Sequence, residues 1–130
     1  MYGTEARTAR AIEFECIVPI LSVRSLAASI EYYLNVLGFK IGWQGARIIA
    51  GLSRDCCRIM LCEGEQGNPG TWVWLGVSDI EPFFEYYTAK GAKVRHPPTN
   101  YPWAYEMRIE DPDGHVLRFG PVPKTDRPFA

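Results

Sequence analysis

The sequence predicts an α+β fold made of two consecutive βαβββ modules in one domain, and three observations predict it. A stretch of about twenty residues recurs at an offset of 54. Within each copy the apolar spacing changes from alternation to helical period and back. Glycines and turn residues then punctuate both copies at matching places.

The repeat pairs LSVRSLAASIEYYLNVLGFKI, from Leu21, with LGVSDIEPFFEYYTAKGAKV, from Leu75. Leu21 matches Leu75, Val23 matches Val77, Leu26 matches Ile80, and Glu31-Tyr32-Tyr33 matches Glu85-Tyr86-Tyr87 unchanged. After a one-residue deletion Gly38 matches Gly91. In the first copy Phe14–Ser22 reads as a strand, rich in apolar and β-branched residues. Ser25 then caps a helix whose Leu26, Ile30, Tyr33, Leu34 and Leu37 share one face. Gly38 stops it. Strands are expected over Lys40–Gln44, Arg47–Leu52 and Cys56–Cys62. The loop Glu63–Gly70 separates the copies. Thr71–Ser78 opens the second, Asp79 caps its helix, Pro82 sits in the first turn, and Gly91 ends it. Ala92–Arg95, Tyr105–Glu110 and His115–Gly120 complete the set, the last two joined by the turn Asp111-Pro112-Asp113-Gly114. The modules thus span about 14–62 and 71–120 of a single domain covering 1–130.

Composition narrows the function. Lys plus Arg number 14 against 15 Asp plus Glu, a balance with no broad footprint for nucleic acid or an anionic membrane. Met1–Arg10 is polar and Cys16–Leu21 is too short for a membrane span, so no signal segment is expected and the compartment is expected to be cytoplasmic. Cys16, Cys56, Cys57 and Cys62 form no C-x-x-C pair and read as reduced, mostly structural thiols. No phosphate-binding glycine loop and no nucleophile elbow is present. Only two histidines occur, His96 in a Pro-rich loop and His115 in a turn, and both read as solvent-exposed.

V-R-S-L-x(3)-I-E-Y-Y-x(3)-L-G-F in the first copy and D-P-D-G-H-V-L-R-F near the end resemble the vicinal oxygen chelate superfamily of glyoxalases, extradiol dioxygenases and bleomycin-resistance proteins. The resemblance covers about Phe14 to Gly120. It implies a mixed sheet curled into a cup, helices on the convex side and a ligand in the concavity. Metal-dependent members carry His, Gln or Glu at inward strand positions. The resemblance places those positions at Val18, Trp72 and Arg118, none of which ligates a divalent ion at neutral pH. No metal or other cofactor is therefore expected.

Alternation decides what the cup holds instead. Val73, Leu75 and Val77 suit the helix-facing core, which turns Trp72 and Trp74 into the concavity. The two indoles either fill that space structurally or form a flat wall for a ligand. Met107, Ile109, Leu117 and Phe119 likewise turn Glu106, Arg108 and Arg118 inward. That trio is either a self-neutralising network or a grip for a polar ligand group. Arg58, with Met60, opposes Ile59 and Leu61 and is a weaker candidate. Tyr101-Pro102-Trp103-Ala104-Tyr105-Glu106 is similar to a Trp-Gly-x-Glu-like stretch of bleomycin-resistance proteins, with Ala104 in place of glycine. Trp103 and Tyr105 join the candidate set, Trp103 as an aromatic lid or as a loop anchor.

The expected function is metal-free binding of a small, partly aromatic ligand, as in antibiotic sequestration of the bleomycin-resistance type, by a homodimer. The alternative is a lyase, isomerase or dioxygenase. It would use atypical metal ligands, such as Glu106 with His96 or His115, or metal-free acid–base catalysis by Glu106.

Overall fold

A computed structural model describes residues 9–130; most of the polar stretch before Arg10 lies outside the described residues. Module 1 consists of β1 (Ile20–Ser22), α1 (Leu26–Asn35), β2 (Lys40–Gly45), β3 (Ile49–Arg54) and β4 (Cys57–Cys62). Module 2 consists of β5 (Trp72–Gly76), α2 (Glu81–Ala89), β6 (Lys93–Asn100), β7 (Tyr105–Glu110) and β8 (Val116–Gly120). Each makes its own four-stranded mixed sheet, in the orders β1-β4-β3-β2 and β5-β8-β7-β6. The first strand of each module runs parallel to its last, and the other pairs are antiparallel. The sequence repeat is therefore a repeat of topology, βαβββ twice, as expected.

Capping and packing explain the helices. Ser25 accepts a hydrogen bond from Ala28 N–H at 3.2 Å and starts α1. The start of α2 departs from expectation: its N-cap is Ile80, which has no side-chain capping bond. Asp79 lies one residue earlier, its Oδ1 accepting from Ile80 N–H at 2.8 Å, and Pro82 sits in the first turn. Helices this short are marginal alone, so the buried faces decide. Burying Leu26 and Leu37 contributes roughly 1.5–3 kcal/mol each. Gly91 directly follows the α2 cap residue and Gly38 lies two beyond that of α1, with φ of 84° and 80°. The left-handed backbone there favours glycine.

One core serves both modules. Leu21, Leu52, Ile59 and Leu61 of the first sheet join Met107, Ile109, Leu117 and Phe119 of the second in a single buried cluster. The duplicated Glu-Tyr-Tyr stretches place a tyrosine from each helix in that cluster, and each reaches across. Tyr33 Oη donates to Asp111 Oδ2 at 2.7 Å, and Tyr87 Oη donates to the Leu37 carbonyl at 3.1 Å. Arg54 Nη1 donates to the same carbonyl at 2.6 Å, so the turn that follows α1 is held by a side chain from each module. Burial and then Asp111 push the Tyr33 hydroxyl well above its usual range, keeping it a donor. Asp111 Oδ1 also accepts from Asp113 N–H at 2.9 Å and His115 N–H at 2.8 Å, which builds the Asp-Pro-Asp-Gly turn. Arg24 of module 1 pairs with Asp113 of that turn at 3.1 Å.

Four further expectations need correction. The strand expected over Phe14–Ser22 is paired only from Ile20. Pro19 has no N–H, so the parallel ladder ends at its carbonyl, which accepts from Met60 N–H at 2.9 Å. Upstream, Phe14 and Ile17 are 96% and 89% exposed. The stretch Pro97–Asn100 is not a loop but the end of β6, the edge strand, where missing proline donors cost no ladder bonds. His115 is fully buried rather than exposed. Its Nδ1 accepts from Thr71 N–H at 2.9 Å, so Nε2 carries the proton and donates it to the Ser22 carbonyl at 2.6 Å. This neutral imidazole ties the modules together. Finally, only Cys62 is a buried structural thiol; Cys16, Cys56 and Cys57 are exposed, and all four are free.

The cross-module bonds differ in strength in a testable way. Tyr33→Phe removes a buried bond to a carboxylate and is expected to cost about 1.5–3 kcal/mol. Tyr87→Phe leaves Arg54 on the Leu37 carbonyl and is expected to cost about 1 kcal/mol. Urea denaturation of both variants, with unchanged slopes, measures the difference.

Candidate ligand-binding site

Because one face of each sheet joins the shared core, the other is left open. On module 2 that face is defined by register: Trp74 pairs with Arg118, Arg118 with Arg108, and Arg108 with His96. Trp72 and Glu106 lie on the same face, two residues from Trp74 and Arg108. Trp72 and Trp74 are 50% and 48% exposed, whereas Glu106, on β7, is fully buried.

Glu106 organises the face. Its Oε1 accepts from Trp103 Nε1 at 2.9 Å and Arg118 Nη2 at 2.9 Å. Its Oε2 accepts from Arg118 Nε at 2.7 Å and Arg108 Nε at 2.9 Å. Arg118 above all, then Trp103 and Arg108, outweigh the cost of burial and bring the carboxyl down to about 2. The same contact pushes Arg118 higher still. Each guanidinium also lies over an indole: Arg108 is 5.5 Å from the Trp72 ring centre and Arg118 is 5.2 Å from that of Trp74. Arg95 takes a second position near Trp72 at 5.3 Å. One carboxylate thus sets two arginines, and the arginines set two tryptophans.

Trp103 is an edge of this face rather than a free lid. It stacks on Tyr101 with ring centres 4.5 Å apart and 5° between planes, and Tyr101 Oη lies 2.7 Å from His96 Nε2. Tyr105 does not join them. It alternates to the other side, sits in the core cluster, and receives a bond from Arg127 Nη1 at 3.2 Å. Arg58 alternates with buried Ile59 and Leu61 and so lies on the open face of module 1, opposite Ser53. With Trp74, Ile17, Cys56 and Cys57 it lines a cavity of about 530 Å³ at the module junction. A larger hollow of about 860 Å³ lies against α2 and Lys40 and touches none of the four tryptophans.

Sequence reasoning missed Trp43, 45% exposed, on β2. A side chain at Gly51 would meet its Nε1 at 2.2 Å, so the bare glycine of β3 is what lets the indole lie flat on the module 1 face. A register shift between Ile41 and Trp43 hides this from simple alternation. Trp74 lies over Gly120 in a similar way, with 3.0 Å to an added Cβ.

The donor set does not fit a metal centre. Val18 is aliphatic, Trp72 lies under two arginines, and Arg118 holds the position implied for a carboxylate. Both nitrogens of His115 are engaged, and both oxygens of Glu106 are saturated. Among the described residues no group of three or more His, Cys, Asp or Glu is placed to hold an ion.

A family model of the glyoxalase/bleomycin resistance protein/dioxygenase superfamily matches residues 16–119, and the chain belongs to that superfamily. Solved structures share the fold. An integron cassette protein from the mobile metagenome of the Halifax Harbour sewage outfall is 25% identical, with a TM-score of 0.73 over 84% of this chain and 100% of its own. The bleomycin-binding protein of Streptomyces verticillus, solved with copper(II)-bleomycin, is 22% identical, with a TM-score of 0.69 over 83% and 96%. Lactoylglutathione lyase from Agrobacterium tumefaciens is 16% identical, with a TM-score of 0.68 over 83% and 94%. No curated protein matches the sequence. A binding protein and an enzyme share this fold, so the residues of the face must decide between them. No helix among the described residues is long and apolar enough to cross a membrane.

The depressed Glu106 ionisation makes stability depend on pH. The ionised form favours folding, so its contribution is full above the ordinary carboxyl value of 4.5 and is lost as pH falls toward about 2. It is of order 3 kcal/mol. Glu106→Gln is therefore expected to be less stable than the parent at pH 7, with the gap closing below about pH 4.5. Urea denaturation across that range checks it; a gap constant down to pH 2.5 contradicts it.

Proposed function

We propose that this protein binds a small, flat, partly aromatic ligand on the open Trp72–Trp74 face, without a metal and without turnover. The observation that carries this reading is the pair of half-exposed indoles held in place by arginines around a buried carboxylate. Aromatic surface fixed in advance costs little entropy to use, and stacking on it adds about 0.5–1.5 kcal/mol per ring beyond area burial. The Streptomyces verticillus protein of the same fold is named for binding bleomycin, and antibiotic sequestration is one form such binding would take in this chain.

Catalysis by Glu106 has no comparable support. A carboxylate that accepts four hydrogen bonds and ionises near 2 has no proton to give at neutral pH and little affinity for one. The module 1 face, with Trp43 and Arg58, is open as well, exposed Ile17 lines the same cavity as Arg58, and Phe14 is exposed too. We assign these surfaces to a second copy of the chain, so that a homodimer closes each cup from a module of either subunit.

Titration of tryptophan fluorescence with 2-naphthol tests the binding reading. Saturable quenching is expected, and Trp72→Ala is expected to weaken it by about tenfold while barely moving the urea midpoint. Absence of saturable quenching in folded protein overturns the reading, as does stoichiometric iron, manganese, nickel or zinc in the purified chain. Sedimentation is expected at twice the 14.7 kDa of one chain; a monomer at micromolar concentration overturns the dimer.

A further inference from the structure

We infer that the ligand of this face is a planar aromatic carboxylate and that Arg108, not Arg118, receives its charge. The inference rests on the proposed aromatic binding and adds to it the charge of the ligand and the residue that reads it.

The two arginines differ in what they have left to offer. Arg118 gives Glu106 both Nε and Nη2, a two-pronged pair. Arg108 gives only Nε. Its two terminal nitrogens have no acceptor among the described residues, although the side chain is only 27% exposed. Four N–H donors are thus held at the edge of a partly dried face, over the ring of Trp72. Unmet donors in such a place favour an acceptor strongly, and a carboxylate matches the fork of a guanidinium with two parallel bonds.

Local charge agrees. Lys93, Arg95, Arg108 and Arg118 stand against Glu106 and Glu110 on this face, a positive excess in a chain whose net charge is −1. Lys93 and Arg95 pair with Glu110 at 2.7 and 3.4 Å but keep 72% and 48% of their side-chain surface in water. Arg118 keeps one N–H fewer than Arg108. Arg108 is thus the least hydrated of the four cations and still has four N–H to give. A cationic ligand would be repelled here, and a neutral one would leave the Arg108 fork to water. A carboxylate gripped at that fork lies beside Trp72, and its ring extends along the indoles.

Calorimetry with three probes of one shape tests this: 2-naphthoate, 2-naphthamide and 2-(aminomethyl)naphthalene. The carboxylate is expected to bind about tenfold or more tighter than the amide, with the amine weakest. Arg108→Gln is expected to erase the preference for the carboxylate while amide affinity stays within about twofold. Should that variant fail to fold, salt decides on the unmodified protein: raising NaCl from about 50 to about 500 mM is expected to weaken naphthoate and not naphthamide. Equal affinity for acid and amide overturns the inference and leaves aromatic binding standing. No binding by any of the three overturns both. A carboxylate preference that survives Arg108→Gln overturns the assignment to Arg108.

Discussion

Two tyrosine hydroxyls that cross between the modules in opposite directions hold the rest of the molecule in register. Tyr33 reaches the Asp111 turn of module 2, and Tyr87 reaches the Leu37 carbonyl in the turn that follows α1 in module 1. A module of some fifty residues buries too little surface to be secure alone, so the shared core is a requirement rather than an embellishment. The tyrosines, with the His115 bridge between Ser22 and Thr71, settle which face of each sheet looks into that core. The opposite faces, with Trp43 on one and Trp72 and Trp74 on the other, are then open by elimination.

Within the module 2 face the controlling group is a buried anion. Glu106 is fully inaccessible, yet Arg108 and Arg118 around it keep 27% and 31% of their side-chain surface in water. This division eases the usual difficulty of interior ion pairs, because the cations are not fully dehydrated and the carboxylate receives four hydrogen bonds in exchange for its lost water. The same division gives the site its shape. Guanidiniums pinned at one end by a carboxylate are rigid, and rigid cations over indole rings leave the tryptophans few orientations.

Much of this was legible in the sequence, for reasons that can be named. The repeat carried the topology, because matched strand, cap, helix and glycine stop leave few ways to fold twice. Strict alternation on β5, β7 and β8 placed Trp72, Trp74, Glu106, Arg108 and Arg118 on one face. Where alternation breaks, reading fails: the shift at Ile41/Trp43 concealed an aromatic, and those around His96 made a bent edge strand look like a proline loop. His115 was misjudged for another reason: its partners Thr71 and Ser22 lie more than forty residues away, and composition of the neighbourhood says nothing about them. Tyr105 is a different case, because alternation with Glu106 on β7 already sends it to the core side with Met107 and Ile109. Asymmetry between Arg108 and Arg118 was equally out of reach, since it depends on which nitrogen meets which oxygen.

The alternation on β5 has one more implication. Val73 and Leu75, half-buried, pack against the shared core while Trp72 and Trp74, their immediate neighbours, belong to the open face. Stability and selectivity are thus written on interleaved residues of one short strand, at odd and even positions respectively. A new binding preference can be introduced by exchanging every second residue, without reopening the interior. What such changes must leave intact is not the strand but its keel, the carboxylate of Glu106, because it sets the arginines that the ligand face is built upon.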